Sequence, residues 1–220
     1  FAIDLDGADD AERARLLLLE LRNREGEAVT AWRAGRRLQR ALQAVAPPSE
    51  RLRLMPGEVV LIVGGAGGVG GALARALAPQ RPRLVLLGRS ALGAPQEALL
   101  AELRGLGAQA QYRQLDCTDA AALDAVLPVL IAEFGAIGGV IQAAGAVELG
   151  SLDVKDDARI AALLAPKVQG TWLLVRALER LGQRPRFFLT CSSIASSLPG
   201  LGGGLAEYVA GNAYLDTLAA

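Results

Sequence analysis

The sequence predicts an α/β fold, a doubly wound parallel sheet flanked by helices. Two observations carry this. From Glu58 onward, short apolar runs alternate with longer amphipathic ones, the order that builds parallel sheets through right-handed crossovers. The short runs are continuously apolar, as strands covered on both faces are.

The elements run in order along the chain. VVLIVGG (59–65) is a strand running into a glycine loop, and VGGALARALAP (69–79) is a helix. RLVLLGRS (83–90) is the second strand, and QEALLAELRGLG (96–107) a helix ending on Gly. AQAQYRQLD (108–116) is the third strand, followed by the helix AAALDAVLPVLIAEFG (120–135), with a kink expected at Pro128. GGVIQAAG (138–145) is the fourth strand. The stretch 158–182 is helical with a break near Pro166, RFFLTCSS (186–193) is the fifth strand, and 206–220 is the last helix. Residues 1–57 differ. LLLLELRNR, Leu16 to Arg24, reads as a short helix. EAVTAWRAG reads as a strand with Ala28, Thr30 and Trp32 on one face, and 36–45 is ambiguous between helix and strand. APPSE breaks regular structure, and MPGE (55–58) turns into the next strand. This piece is too small for a good core of its own and is expected to flank the parallel sheet.

Composition narrows the function. Lys+Arg and Asp+Glu both count 23, which argues against a generally nucleic-acid-binding surface or a polybasic membrane arm. No apolar run reaches the roughly 18–20 residues that span a bilayer. The chain has no histidine, so a Ser-His-Asp triad and a His-ligated zinc are excluded. Cys117 and Cys191 form no disulfide framework and no metal-ligand spacing, and no metal is expected. Of the 23 basic residues, all but Lys155 and Lys167 are Arg. The chain opens at Phe1, and its only methionine is Met55, so it is expected to be excised from something longer. The acidic opening FAIDLDGADD is no signal peptide.

The glycines cluster. Gly64, Gly65, Gly67, Gly68 and Gly70, with Val69 between, lie between the first strand of the sheet and its helix. A pyrophosphate needs close backbone approach there and the free N–H groups of the helix start. This makes the sheet Rossmann-like and dinucleotide-binding. No Gly-Lys-Ser/Thr follows, so Walker A is excluded. At the end of the second strand an acidic residue would accept from an NAD ribose, whereas Arg accommodates a 2′-phosphate. The chain has Arg89 and Ser90 and no carboxylate, which favours NADPH over NADH. Asp116, closing the third strand, is placed for the adenine amino group, with Cys117 beside it. Ala143, Ala144 and Gly145 end the fourth strand on the same edge.

These motifs together resemble the short-chain dehydrogenase/reductase superfamily. The motifs GGAGGVG, GVIQAAG, PKVQGTW, CSSIAS and YVAGNAYLD, in this order, resemble more closely the ketoreductase domains of modular polyketide synthases. The resemblance runs from about residue 58 to 220 and more weakly through 1–57. It implies Tyr208 as proton donor to a carbonyl oxygen, Ser193 (neighbour Ser192) as hydrogen-bond donor to the same oxygen, and an ammonium beside the phenol and the nicotinamide ribose. A free phenol titrates near ~10, and a nearby ammonium favours its ionised form. The superfamily's Lys one turn after the Tyr is here Asn212, so the resemblance assigns the ammonium to Lys167. Lys155, in DVKDD, is expected on a solvated surface.

Three departures stand out. Ser193 precedes Tyr208 by fifteen positions, a longer gap than usual. Gln142 replaces the His common before AAG and is expected to change local hydrogen bonding. Val147-Glu148-Leu149 replaces the Leu-Asp-Asp of one stereochemical class, and the Trp of the other is absent, so no alcohol configuration is assigned. The resemblance implies a cytoplasmic megasynthase component that reduces the β-keto group of a phosphopantetheine-linked thioester on an acyl carrier protein, beside neighbouring domains of the synthase. Residues 1–57 would then be the C-terminal part of a degenerate Rossmann-like structural subdomain, and 58–220 a catalytic subdomain lacking its last strand and lid. The alternatives are a catalytically silent structural domain and a free-standing short-chain dehydrogenase.

Overall fold

The computed structural model describes all residues except 1, 7–8, 24–28, 40, 42, 47–50, 199 and 220. It divides into two compact units, residues 1–51 and 52–220.

In the first unit, β1 (Ala2–Leu5) pairs in parallel with β2 (Val29–Arg33), which pairs antiparallel with β3 (Arg36–Gln39). Helix α1 (Asp10–Arg22) connects β1 to β2. It starts before the apolar run because the Asp9 carboxylate caps the Glu12 N–H. Arg24 and Ala28, included in the predicted helix and strand, lie outside the described residues, as does most of APPSE. Thr30 is buried and Trp32 half-buried on one face, as the alternation predicts. That face meets α1 through Glu20, which accepts from Trp32 Nε1 and forms a two-bonded ion pair with Arg37. The Arg37 bond, chiefly, holds the Glu20 carboxyl below the usual carboxylate range. The ambiguous stretch 36–45 resolves as strand over 36–39 because Ala34 and Gly35, both at positive φ, turn the chain tightly back on β2. The sequence reading missed β1. Its four residues, three apolar and one Asp, lie within the acidic opening FAIDLDGADD and pass for part of a polar terminus.

The second unit is a five-stranded parallel sheet in the order β6-β5-β4-β7-β8. The strands are β4 (Val59–Val63), β5 (Arg83–Gly88), β6 (Gln109–Gln114), β7 (Ile137–Gln142) and β8 (Phe187–Thr190). The helices are α2 (Gly68–Leu77), α3 (Ala94–Gly105), α4 (Ala120–Phe134), α5 (Asp157–Leu164), α6 (Gln169–Arg180) and α7 (Ala206–Ala219). Every apolar run from 59 on becomes the predicted element. β4 explains why those runs are continuous. Val59, Leu61 and Val63 pack with Leu123, Leu127 and Leu174 of α4 and α6. Val60 and Ile62 pack with Ala74, Leu99 and Leu103 of α2 and α3. Both faces are buried, so successive residues must both be apolar. The expected break near Pro166 separates α5 from α6, while α4 runs through Pro128 as one helix. Strand order reverses between β4 and β7. Ligands of open α/β sheets bind at such a switch point, beyond the carboxyl ends of the strands.

Candidate active site

A cleft of about 290 Å³ opens at that switch point. Gly64, Gly67, Arg89, Ser90, Asp116, Cys117, Ala143, Ala144 and Gly145 line it, with Gln96, Tyr112 and Pro166 among the rest. The glycine loop fits tightly behind it. Gly64 has φ +73°, and a Cβ there would stand 2.8 Å from the backbone N of Ala144. At Gly70 a Cβ would press into the Gly64 carbonyl oxygen and stand 2.8 Å from Gly65 Cα. Side chains at either position would separate the loop from β7 or from its own helix. Gly68 differs: its Cβ direction is open, with nothing within 4 Å. Gly65, Gly68, Val69 and Gly70 support the loop and the start of α2 without lining the cleft.

The far end of the cleft is held from β6. Tyr112 Oη donates to the Ser90 carbonyl at 2.7 Å, and Gln114 Nε2 donates to the Arg89 carbonyl at 3.0 Å. The Arg89 side chain is exposed and bonds to no protein group among the described residues. Asp116 is partly engaged, because one carboxylate oxygen accepts from the N–H and hydroxyl of Thr118 at 2.9 and 2.7 Å. Burial, with the Asp116 charge adding, pushes the Cys117 thiol up to about 11, so it stays protonated and lies against Gly170. The sequence reading missed Tyr112 and Gln96. The two-residue period of QAQYRQ was the available signal, since it directs the Tyr112 ring to the α2–α3 face.

Lys167 and Tyr208 come together although they are forty-one positions apart. Lys167 is 6% exposed and its Nζ lies 5.8 Å from the Tyr208 ring centroid. It donates to the Cys191 carbonyl at 2.7 Å. Burial lowers the Lys167 pKa, and the neighbouring Tyr208 offsets part of this. Gly145 and Gly211 pack on its stem. A Cβ would come within 3.0 Å of Lys167 Cε at the first and 3.3 Å of its Cδ at the second. Tyr208 is half-buried, and its hydroxyl bonds to no protein group among the described residues. Asn212, one turn later and fully buried, donates to the Tyr208 carbonyl at 2.8 Å. Its Oδ1 has no partner among the described residues.

Ser193 lies on the loop after β8, outside the cleft lining. Its hydroxyl accepts from the Ala195 N–H at 3.2 Å. Ser192 Oγ donates instead to the Asn212 carbonyl at 3.3 Å. Gln142 is fully buried and uses both ends of its amide. Nε2 donates to the Pro166 carbonyl and Thr171 Oγ1 at 3.0 and 2.9 Å, while Oε1 accepts from the Ala144 N–H at 3.1 Å. It thereby ties the cleft wall to the turn that carries Lys167.

The expected solvated position of Lys155 is corrected. Its side chain is 5% exposed and pairs with Glu207, which is 1% exposed. The acidic neighbours in DVKDD point the wrong way. Asp156 turns aside to cap α5 by accepting from the Arg159 N–H, while Lys155 folds inward to a carboxylate distant in sequence.

The KR domain family profile matches residues 58–220. Polyketide synthase PksN of Bacillus subtilis is 42% identical over 164 residues, covering 74% of this chain and 3% of that protein. Polyketide synthase ThaG of Burkholderia thailandensis is 36% identical over 218 residues, covering 96% of this chain and 4% of that protein. The chain therefore spans a few per cent of the curated relatives it matches. Among solved structures, an N-terminal ketoreductase from the macrolactin assembly line superposes with TM-score 0.83 at 29% identity, covering 98% of this chain and 43% of that one. The ketoreductase from the first module of phoslactomycin biosynthesis in Streptomyces gives 0.80 at 34%, covering 99% and 49%. A short-chain dehydrogenase/reductase from Mycobacterium marinum shares the fold at 0.67 and 20% identity over 74% of this chain and 67% of that one. The chain belongs to the KR domain family.

Proposed function

We propose that this KR domain reduces the β-keto group of an acyl-carrier-protein-bound polyketide thioester to a β-hydroxyl, using NADPH. The observation that carries the reading is the pairing of a buried Lys167 ammonium with Tyr208, 5.8 Å from its ring and with its hydroxyl free. A phenol in that setting can give up a proton and recover it.

The cleft residues fit a dinucleotide. The glycine loop leaves a cradle that a Cβ at Gly64 or Gly70 would fill. Helix α2 begins at Gly68 with free backbone N–H groups facing where a pyrophosphate would rest. Arg89 offers an unengaged guanidinium, and no carboxylate stands in its place, which suits a 2′-phosphate. Asp116, with Cys117 at its side, would accept from an adenine amino group. Ala143, Ala144 and Gly145, small residues on the cleft wall, would leave room for a nicotinamide. When bound, the cofactor supplies the hydride.

The chain's own residues do the rest. Tyr208 donates its proton to the carbonyl oxygen as charge develops there. Ser193, whose hydroxyl oxygen accepts from the Ala195 amide and whose proton is still free to be given, donates a hydrogen bond to the same oxygen. Lys167 stabilises the resulting phenolate and reaches a ribose hydroxyl from its seat on the Cys191 carbonyl. Asn212 fixes the helical turn at Tyr208 by donating to its carbonyl.

Residues 1–57 are read as the closing part of a structural subdomain, with 58–220 the catalytic one. In support, the polyketide ketoreductases cover 98–99% of the chain, whereas the short-chain dehydrogenases cover 74%. Such domains act within cytoplasmic multidomain synthases. Among the described residues no helix is long and apolar enough to cross a membrane.

The test is cofactor consumption with a β-ketoacyl thioester of a short pantetheine mimic. Turnover with NADPH exceeding that with NADH is expected. Tight NADPH binding without turnover would replace this reading with a silent structural domain.

A further inference from the structure

The mechanism makes no use of Lys155, although it is the chain's only other lysine and is almost fully buried. Its Nζ donates to two acceptors, the Glu207 carboxylate and the Glu148 carbonyl, the latter at 2.8 Å. Glu207 immediately precedes Tyr208 and lies in the first turn of α7. Glu148 lies on the loop that leaves β7, and its carboxylate forms a further ion pair with Arg159 of α5. A backbone bond from Gly150 N–H to the Gly204 carbonyl, 2.9 Å, joins the same two loops. The Glu207 carboxyl is held below the usual range, mainly by its bond to Lys155.

We propose that the Lys155–Glu207 pair is a positioning device for Tyr208: it clamps the first turn of α7 to the loop after β7, so that the phenol is presented at a fixed height over Lys167. This rests on the reading of Tyr208 as proton donor. Lys167 is set by the α5–α6 turn and Tyr208 by α7, two elements that meet across the site. Residues 200–205, just before α7, contain four glycines and give little stiffness of their own. Something must fix that helix end against the rest. A two-acceptor ammonium, shielded from water, is directional as well as attractive. An apolar pair of equal volume could fill the space, and buried ion pairs are often replaced that way without loss of stability. It could not hold the Glu148 carbonyl or fix an angle.

That difference is the test. Lys155→Met/Glu207→Leu in the full chain is compared with the charge-swapped Lys155→Glu/Glu207→Lys and with Glu207→Gln, which keeps its shape. The apolar double variant is expected to melt near the wild type, bind NADPH within twofold, and lose at least tenfold in kcat. The charge swap should recover part of that loss, and Glu207→Gln should lose tenfold with cofactor binding unchanged. Amide hydrogen exchange over 206–211 reads the same clamp without turnover. Protection should fall at least tenfold in the apolar double variant while α6 stays unchanged. An apolar double variant with wild-type kcat and protection would overturn the proposal, as would one whose cofactor binding fell in step with kcat. If the wild type itself turns nothing over, the ketoreductase reading fails, and the exchange data alone decide whether the clamp exists.

Discussion

The glycine loop allows fold and cofactor binding to be separated within three residues. At Gly70 a methyl group would press into the Gly64 carbonyl and stand 2.8 Å from Gly65 Cα. Both are backbone atoms of the turn that follows β4, so no rotamer change relieves them. Overpacking of this kind costs typically ~1–3 kcal/mol. For a domain of this size each kcal/mol moves Tm by roughly 2–4 °C, so Gly70→Ala should lower Tm by about 2–12 °C. It should weaken NADPH as well, because the displaced turn lines the cleft. Gly68→Ala meets nothing within 4 Å and sits at the first position of α2. An Ala in a helix is favoured over Gly by about 0.5–1 kcal/mol, so Tm should hold or rise slightly. Yet Gly68 opens α2, whose free backbone N–H groups are proposed to meet the pyrophosphate, so a methyl beside them should lower NADPH affinity tenfold or more. The assays are thermal unfolding and a fluorescence titration of NADPH on the same samples. A Gly68→Ala protein that binds as well as the wild type would place the dinucleotide elsewhere. A Gly70→Ala protein with unaltered Tm would refute the packing argument.

Three further outcomes are expected. Tyr208→Phe should cut kcat by ~10²–10⁴, the usual worth of a general acid, with NADPH affinity within twofold; wild-type turnover would remove Tyr208 from the chemistry. Arg89→Asp should collapse or reverse the NADPH preference, read as the ratio of the two cofactors' Kd, and an unchanged ratio would make Arg89 a surface charge. Burial lowers the Lys167 pKa below 10.5, so the unfolded chain binds that proton more tightly than the folded one. The charge therefore costs stability below the folded pKa, and this cost fades as pH rises toward the unfolded value. Stability of Lys167→Met relative to the wild type should accordingly fall with pH across that window, and a flat difference in Tm would contradict the burial argument.

The parallel sheet was legible because two-sided burial forces a pattern. Strands such as VVLIV cannot alternate when Val60 and Val63 serve different cores. The cleft lining was legible in part: Gly64 and Arg89, singled out in the sequence, both line it. β1 was not legible, because a run of only four residues, Ala, Ile, Asp and Leu, inside an acidic opening is too short to tell a strand from a polar terminus. Lys155 was misread for a different reason. Sequence neighbours describe a side chain's surroundings only when it points outward, and its partner Glu207 is fifty-two positions away. Gln142 shows the middle case. A change of local hydrogen bonding was foreseeable, but not that one amide would join the cleft wall to the Pro166 turn, since that turn's position depends on where α5 stops.

That last arrangement bears on the exchange of Lys and Asn between α7 and the α5–α6 turn. A Lys one turn after Tyr208 would share its helix, and their spacing would follow from helical geometry alone. With Asn212 in that place, the ammonium and the phenol belong to separate elements, and their spacing must be built by tertiary contacts. The structure supplies these from every side. Gln142 holds the Pro166 carbonyl, Gly145 and Gly211 leave room for the Lys167 stem, and the Cys191 carbonyl receives its Nζ. On the opposite side Asn212 and Glu207 fix α7 above and below Tyr208. Such a site depends on more residues than one carried on a single helix. Substitutions at Gln142 or Gly211, which lie outside the cleft lining, are therefore expected to act on the Lys167–Tyr208 distance and, on the proposed function, to reach turnover through it.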